Sequence, residues 1–206
     1  MDNVFLSVLL YADDMALAAP SLKGLQVLLN ACEAFCFEWD ICLNHSKTKN
    51  MAFGKKTSNL CPLILDGNQI SWVNSWKYLG VTLEAHSRFN CSIDERLKSF
   101  YKCLNSIVRI DGRSNEMVML RLLETHCVPI LTYCIEVLSV ANNDTMRRMR
   151  VAYNTVFRKI FEYRWNESVR ELQSFLVRPT WEELVERRTN RFDAKLHASN
   201  MFSVLV

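Results

Sequence analysis

Residues 9–17 read Leu9-Leu10-Tyr11-Ala12-Asp13-Asp14-Met15-Ala16-Leu17 and place two adjacent carboxylates between apolar segments. Short apolar runs around a polar pair are typical of a strand, a tight turn and a second strand. We therefore predict a β-hairpin with Asp13 and Asp14 at its tip. Adjacent carboxylates repel unless a cation neutralises them, and their oxygens suit hard ions such as Mg²⁺. An ordinary turn also fits this stretch, because Asp is a common turn residue.

The overall composition is that of a globular, helix-rich protein rather than a disordered one. Half of the 206 residues are hydrophobic, and the chain has only five glycines and four prolines. The net charge of +3 is too small to imply a polyanionic partner by itself. Basic residues are concentrated between 147 and 195, which is compatible with nucleic-acid binding or with an ordinary solvated helix face.

The cysteines indicate a reducing, intracellular environment. Eight occur, none in a Cys-x-x-Cys pair, and most lie in apolar segments where free Cys acts as a small hydrophobic residue. We expect no disulfide framework. The sequence also predicts no signal peptide and no apolar stretch long enough to cross a membrane.

The first 90 residues alternate strand and helix patterns, which predicts an α+β arrangement with a helix laid on a sheet. Ser21 is a suitable cap for an amphipathic helix that runs to about Trp39. Further strands are predicted at 41–43 and 51–53 around a polar turn, at 61–65 and 69–73 around Asp66-Gly67, and at 75–83 with Gly80 inside the strand.

Beyond residue 90 the periodicity predicts helices only. The first follows Ser92 and ends at Asp111-Gly112, and the next starts at Ser114 and is kinked or broken at Pro129. Later helices are predicted at about 144–162, at 166–176, and from the capping box that begins at Thr180 to about residue 198.

Three motifs stand in a fixed order: Tyr11-Ala12-Asp13-Asp14, then the polar turn Leu43-Asn44-His45-Ser46-Lys47-Thr48-Lys49, then Trp76-Lys77-Tyr78-Leu79-Gly80. This order closely resembles the reverse transcriptases of non-LTR (LINE-type) retrotransposons, over residues 4–165. The resemblance implies a partial polymerase palm, an antiparallel sheet with a packed helix, over residues 1–90. It implies an all-helical thumb with a C-terminal extension over residues 91–206.

The resemblance also implies catalytic roles. Asp13 is expected to bind catalytic Mg²⁺, with Asp14 supporting the metal site, and Lys47 is expected near the incoming triphosphate. In such enzymes two metal ions activate the primer 3′-hydroxyl and stabilise the leaving pyrophosphate. A solvated turn lysine is the alternative for Lys47.

The remaining roles implied by the resemblance concern nucleic acid. Tyr11 is expected near the primer terminus, with a half-buried strand tyrosine as the alternative. The motif at 76–80 is expected to hold the primer, although a plain core strand also fits it. Contacts with template–primer phosphates are expected from an arginine cluster that could equally be a solvated helix face. The full set of expected primer or nucleic-acid contacts is Tyr11, Trp76, Lys77, Tyr78, Leu79, Gly80, Arg147, Arg148 and Arg150.

One departure from the family limits this interpretation. The family places a further metal-binding Asp and the nucleotide-binding fingers upstream of the hairpin, whereas ten residues precede Tyr11. We therefore expect a fragment of an RNA-directed DNA polymerase, inactive alone, whose intact parent uses an RNA template, a DNA primer and dNTPs in the nucleus or cytoplasm. The alternatives are a non-catalytic transposon-derived remnant that binds nucleic acid or protein, and a product that scarcely folds.

Overall fold

A computed structural model describes residues 7–54, 60–87, 90–110, 115–141 and 143–198. The described residues form two compact units, one before Asn90 and one that begins there. The first unit combines antiparallel strands with one helix, and the second is dominated by helices. The α+β class predicted from the sequence is therefore confirmed.

Strand pairs in the first unit are antiparallel hairpins with two-residue turns. The Asp66-Gly67 hairpin is confirmed, and both of its turn residues have positive φ, as the favoured hairpin turns require. The elements are β1 (Val8–Tyr11), β2 (Asp14–Leu17), α1 (Leu22–Glu38), β3 (Leu63–Leu65), β4 (Asn68–Ile70), β5 (Ser75–Tyr78) and β6 (Val81–Glu84).

The prediction of one continuous strand over 75–83 was wrong. The segment folds back as the β5–β6 hairpin, in which Tyr78 pairs with Val81. Leu79 and Gly80 form the turn with φ of 45° and 77°. Gly80 therefore supplies the left-handed backbone of a turn and does not lie inside a strand.

The ends of α1 explain a second difference. Ser21 caps the helix as predicted, accepting a hydrogen bond from the Gly24 amide at 3.1 Å. At the other end Asp40 has a φ of 53°, and the Ile41 amide donates to the Cys36 carbonyl at 2.8 Å. This is a helix-terminating pattern, and it occupies the start of the predicted strand at 41–43.

Neither predicted strand beside the polar turn forms, because 41–43 and 51–53 carry no strand assignment. Pairing is instead confined to Asn50, which forms an isolated parallel bridge with Trp72. The Asn50 amide donates to the Ser71 carbonyl at 3.0 Å, and the Val73 amide donates to the Asn50 carbonyl at 2.9 Å. These two bonds anchor the segment at Asn50.

Helix α1 packs on the β3–β4 hairpin, so the predicted helix-on-sheet packing is present. Apolar side chains from the helix and both strands meet in one cluster. Its buried members are Leu29, Leu63, Leu65 and Ile70, and the partly buried residues packed against them are Leu17, Leu25, Leu43 and Trp72.

The second unit starts with a short strand and continues as helices. Ser92 accepts a bond from the Asp94 amide at 3.5 Å, which agrees with the predicted helix start. The predicted Asp111-Gly112 stop and Ser114 start lie outside the described residues. The elements are β7 (Asn90–Ser92), α2 (Asp94–Ile110), α3 (Glu116–His126), α4 (Val128–Thr132), α5 (Ile135–Ala141), α6 (Asn143–Ile160), α7 (Arg170–Phe175) and α8 (Trp181–Ala198).

The predicted interruption around Pro129 is confirmed, and a second break follows it. Pro129 lies in the first turn of α4, where its missing N–H costs no helical hydrogen bond. The second break has Cys134 in a left-handed conformation with φ 49°. Arg96 donates to the Tyr133 carbonyl at 2.6 Å and Arg188 to the Thr132 carbonyl at 3.3 Å, so two guanidinium groups satisfy helix-end carbonyls.

The core of the second unit is built around α6 and the helices that pack on it. Ten of its apolar residues are fully buried: Phe100, Leu104, Leu120, Leu123, Cys127, Leu131, Ile135, Leu138, Met149 and Ala152. The predicted capping box of α8 is present, since Thr180 and Glu183 exchange backbone-to-side-chain bonds of 2.9 and 3.3 Å. In the described ranges no helix is long and apolar enough to span a bilayer.

Candidate functional site

The predicted hairpin is present and holds the two carboxylates at its tip. Tyr11 pairs with Asp14, which leaves Ala12 and Asp13 as a two-residue turn. Ala12 adopts a φ of 52°, a left-handed conformation that is uncommon for residues other than Gly. Both Asp side chains are exposed. The tight turn therefore fixes adjacent carboxylates on a short, paired support.

Strand β2 is the side of the hairpin that contacts the rest of the first unit. The Met15 sulfur lies 3.6 Å from the Cys32 sulfur of α1, and Leu17 packs against the apolar cluster. Strand β1 is much more open, since Leu10 is 72% exposed and Tyr11 is 66% exposed. Tyr11 is thus accessible to a ligand, and the half-buried alternative for this side chain does not describe it.

Asp13 and Asp14 are the candidate ligands for the Mg²⁺ that the resemblance implies. Their oxygens are donors of the right kind for a hard divalent cation. However, within the described residues no group of three or more His, Cys, Asp or Glu side chains is placed to hold a metal ion. Within the described residues Asp13 and Asp14 therefore supply only part of a two-metal centre.

Lys47 lies in a compact polar turn organised by Asn44. The Asn44 side chain accepts bonds from the Lys47 amide at 3.1 Å and the Ser46 hydroxyl at 2.7 Å. The Thr48 hydroxyl donates to the Asn44 carbonyl at 2.8 Å. These bonds fix the backbone while the Lys47 side chain is exposed, which is a suitable arrangement for a cation that meets a ligand phosphate.

A neighbouring lysine links this turn to the third motif. The Lys49 ammonium lies 5.9 Å from the centre of the Trp76 ring, within the range of a cation–π interaction, and donates to the Ser46 carbonyl at 2.9 Å. Trp76 and Lys77 are exposed on β5, and Tyr78 is partly buried. The sequence placed Lys49 in the polar turn, but its contact with Trp76 joins distant segments and had no local signal.

The arginine cluster of α6 lies in the second unit, and each member is ion-paired. Arg147 contacts Asp144 at 2.8 Å, Arg148 contacts Asp94 at 2.5 Å, and Arg150 contacts Glu182 at 3.4 Å. All six side chains are about half exposed. The carboxylates offset the positive charge locally, so the three arginines form a weaker anion-binding surface than their count suggests.

A groove between α2 and α6 carries cations that sequence reasoning missed. Lys98 and Lys102 are one helical turn apart on α2, and in the described part of the chain neither ammonium forms an ion pair. Lys159 borders the groove through its 2.6 Å bond to Asn105. The groove has a volume of about 600 Å³ and is lined by Asp94, Leu97, Lys98, Tyr101, Lys102, Asn105 and Arg148.

The sequence contained one sign of this groove. Two lysines spaced by four positions on a predicted amphipathic helix project from the same face. The sequence did not indicate where α6 lies. The opposite wall of the groove comes from Arg148 of α6, about 50 residues after Lys98. Lysine spacing alone could not separate a groove from an ordinary solvated face.

Residues 3–83 match the family model described as reverse transcriptase (RNA-dependent DNA polymerase). The chain is 29% identical over 90% of its length to a probable RNA-directed DNA polymerase from transposon BS of Drosophila melanogaster. It is 22% identical over 91% of its length to the RNA-directed DNA polymerase from mobile element jockey of the same fly, and 23% identical over 90% to that of Drosophila funebris.

The chain spans about a fifth of the length of these relatives, 21–22%. No solved structure matches it. The family match includes all three motifs, from the carboxylate hairpin to the β5–β6 hairpin. These findings confirm the resemblance seen in the sequence: residues 3–83 match the reverse transcriptase family model, and most of the chain is similar to RNA-directed DNA polymerases of transposable elements.

Proposed function

We propose that this chain is part of an RNA-directed DNA polymerase of a non-LTR retrotransposon and supplies the catalytic hairpin of that enzyme. The observation that carries the proposal is the two-residue turn that presents Asp13 and Asp14, inside the segment that matches the reverse transcriptase family. In this proposal residues 1–90 are palm and residues 91–206 are thumb with a C-terminal extension. The intact parent works in the nucleus or cytoplasm.

The carboxylate hairpin supplies half of a two-metal site. Asp13 would hold the catalytic Mg²⁺ ions, Asp14 would add negative charge and support the site, and Lys47 would meet the triphosphate of the incoming dNTP. When bound, the metal ions supply Lewis-acid activation of the primer hydroxyl and stabilisation of pyrophosphate. The contribution of this chain is positioning, because the turns at Ala12 and Asn44 fix the backbone of these groups.

The second hairpin, β5–β6, serves as the primer-holding element of the same proposal. Its tip is the tight Leu79-Gly80 turn, which allows a nucleic-acid backbone to approach closely. Trp76 and Lys77 are exposed on β5, and Lys49 adds a cation beside the Trp76 ring. An aromatic ring with adjacent cations suits a stacked base and its phosphate. Tyr11 contacts the primer terminus from the carboxylate hairpin.

Primer extension tests the catalytic proposal. Alone, the chain is expected to show no Mg²⁺-dependent DNA synthesis on a primed RNA template; extension that vanishes in Asp13→Ala would contradict this expectation. A chimera is the positive test. Residues 3–83 replace the matching segment of the jockey polymerase, and we expect the chimera to extend a primer.

The matched control for this chimera is a second turn carboxylate. Asp13→Asn is expected to abolish extension, whereas Asp66→Asn, at the exposed tip of the β3–β4 hairpin, keeps it. Equal activity of the two variants would show that Asp13 is an ordinary turn residue. Loss in both would point to a folding defect, which thermal melting of each chimera distinguishes.

A second candidate function is nucleic-acid binding without catalysis, and the groove between α2 and α6 favours it. Lys98 and Lys102 lie on one face of α2, since Cβ atoms at i and i+4 of a helix are about 5–6 Å apart. Their ammonium groups can meet phosphates of a single strand or duplex. The ion-paired Arg147, Arg148 and Arg150 border the same helix pair. Phosphate contacts of this kind position a nucleic acid without reading its sequence.

Binding to an RNA–DNA hybrid at several salt concentrations tests this candidate. We expect affinity to fall with salt, and the double variant Lys98→Glu/Lys102→Glu to reduce the log–log salt slope by about two. The control Lys23→Glu/Lys195→Glu changes the net charge equally on other helices and keeps most of the slope. Charge reversal of Arg147, Arg148 and Arg150 together with both lysines, without any change in affinity, would exclude this function.

A further inference from the structure

Cys103 and Cys127 bring their sulfur atoms into contact between two helices of the second unit. Cys103 lies in α2, and Cys127 lies between α3 and α4. Their Sγ atoms are 3.1 Å apart. An S–S bond is about 2.05 Å long, so the two sulfur atoms would have to move about 1 Å closer to form a covalent bond.

The two thiols differ in their access to solvent. Cys127 is fully buried, with 0% exposure, whereas Cys103 is partly exposed. Burial raises the pKa of the Cys127 thiol, and its contact with Cys103 raises that pKa further. Cys127 is therefore a poor first nucleophile at neutral pH, and a reagent from solvent meets Cys103 first.

A disulfide between Cys103 and Cys127 would stabilise the fold because of where the two residues lie in the chain. The two residues are 24 positions apart, and α2 packs directly on α3. A bond between them would close a loop that contains the connection between these helices. Closing a loop of this size removes conformational freedom from the unfolded chain and stabilises the fold.

We propose that Cys103 and Cys127 form a reversible disulfide in response to a disulfide oxidant of the glutathione class, locking α2 to α3. The Cys103 thiolate attacks glutathione disulfide, forming a mixed disulfide and releasing one glutathione. Cys127 loses its proton to solvent and attacks Cys103 Sγ, which releases the second glutathione. Two protein thiols are oxidised and one glutathione disulfide is reduced to two thiols.

The proposed link does not depend on the polymerase proposal, because it rests on the contact between the Cys103 and Cys127 sulfur atoms. All eight cysteines are free thiols in the structure. The Cys103–Cys127 pair adds a switchable link to that reduced fold.

Peptide mapping of the full chain after incubation with glutathione disulfide is the direct test. After thiol blocking and trypsin digestion, we expect residues 103–109 joined to residues 122–147 through Cys127, with fragmentation separating Cys127 from Cys134 in the same peptide. Dithiothreitol should release the two peptides. The oxidised chain should melt about 10 °C higher than the reduced chain, and the link should form faster at alkaline pH.

Three variants complete the test. Cys103→Ala should lose the linked peptides, and Cys127→Ala should keep a stable glutathione adduct on Cys103. Cys61→Ala, at an exposed cysteine of the first unit, should form the link as the unmodified sequence does. A glutathione adduct that persists on Cys103 of the unmodified sequence, a link to another cysteine, or an unreacted Cys103 would overturn the proposal.

Discussion

The two units of this chain bury their apolar residues to very different extents. The second unit surrounds α6 with residues such as Phe100 and Leu120, both at 0% exposure. The first unit, which carries the carboxylate hairpin, the polar turn and the β5–β6 hairpin, has a small cluster that includes Leu29 and leaves Phe37 90% exposed. The segment with the candidate chemistry therefore has the weaker core of its own, as expected where a surface serves binding.

The largest expected difference in stability comes from replacing one Phe by Ala in each unit. Phe100→Ala should destabilise the second unit by about 3–5 kcal/mol, because it removes a fully buried ring and leaves a cavity. Phe37→Ala should change stability by no more than about 0.5 kcal/mol, since that ring is 90% exposed. Urea unfolding measures both, and similar losses would contradict the difference between the cores.

A smaller effect is expected at a buried tyrosine of the second unit. Tyr153 donates to the Pro179 carbonyl at 2.8 Å, so Tyr153→Phe should cost about 1–2 kcal/mol by leaving that acceptor without its bond. Burial also raises the pKa of Tyr153, with Glu124 raising it further. Its neutral form is favoured in the folded state, and its full stabilising contribution is present below the unfolded-state pKa of about 10.

That contribution should be lost as the pH rises above about 10 toward the higher folded-state pKa. Urea midpoints measured between pH 8 and pH 11 should therefore fall for the unmodified chain and fall less for Tyr153→Phe. Tyr11→Phe, at the exposed hairpin tyrosine, is the control that should retain the alkaline loss. An identical alkaline loss in Tyr153→Phe would contradict the assignment.

Replacing Ala by Gly is expected to change the free energy of unfolding by about 1 kcal/mol in each unit, with opposite signs. Ala12→Gly should stabilise the hairpin by about 1 kcal/mol, because Ala12 has a φ of 52°. Ala152→Gly should destabilise α6 by at least about 1 kcal/mol, because it adds backbone freedom in a helix and removes a buried methyl group. Hydrogen exchange of each segment reads the two changes separately, and a loss of protection around residue 12 would refute the first.

The smallest difference is expected at helix N-termini, where the units should behave alike. Ser21→Ala and Thr180→Ala each remove a side-chain cap that accepts a backbone bond, at 3.1 and 3.3 Å. Each should cost about 1 kcal/mol in its own unit. A much larger loss of stability in Thr180→Ala would mean that the cap of α8 is coupled to the core of the second unit. Thermal melts, combined with hydrogen exchange of each unit, measure both losses.

Local rules explain which parts of the fold could be predicted from the sequence. The Thr180 capping box, the Ser21 cap and the Asp66-Gly67 turn depend on residues within four positions, and all three were predicted. The Leu79-Gly80 turn was missed because Leu rarely adopts the positive φ found there. The strand at 41–43 was wrongly predicted because Ile41 donates its amide to the end of α1, a choice that apolar spacing does not encode.

The candidate site also contains parts that could be predicted from the sequence and parts that could not. Asp13 and Asp14 at a hairpin tip follow from a few adjacent residues, so the sequence predicted their placement. The contact of Lys49 with Trp76 and the groove that holds Lys98 and Lys102 join segments far apart in the chain. Such juxtapositions are set by tertiary packing, and neither had a local signal strong enough to identify it.

The exposed carboxylate tip has a consequence for the behaviour of the chain in solution. Strand β1 is apolar and open, in a sheet of two strands, and such strands template edge-to-edge aggregation unless charges interrupt them. Asp13 and Asp14 place two negative charges at the tip that ends this strand, where charge is expected to oppose edge-to-edge pairing. Replacing both with neutral residues should therefore lower the concentration at which the chain precipitates, whatever happens to its chemistry.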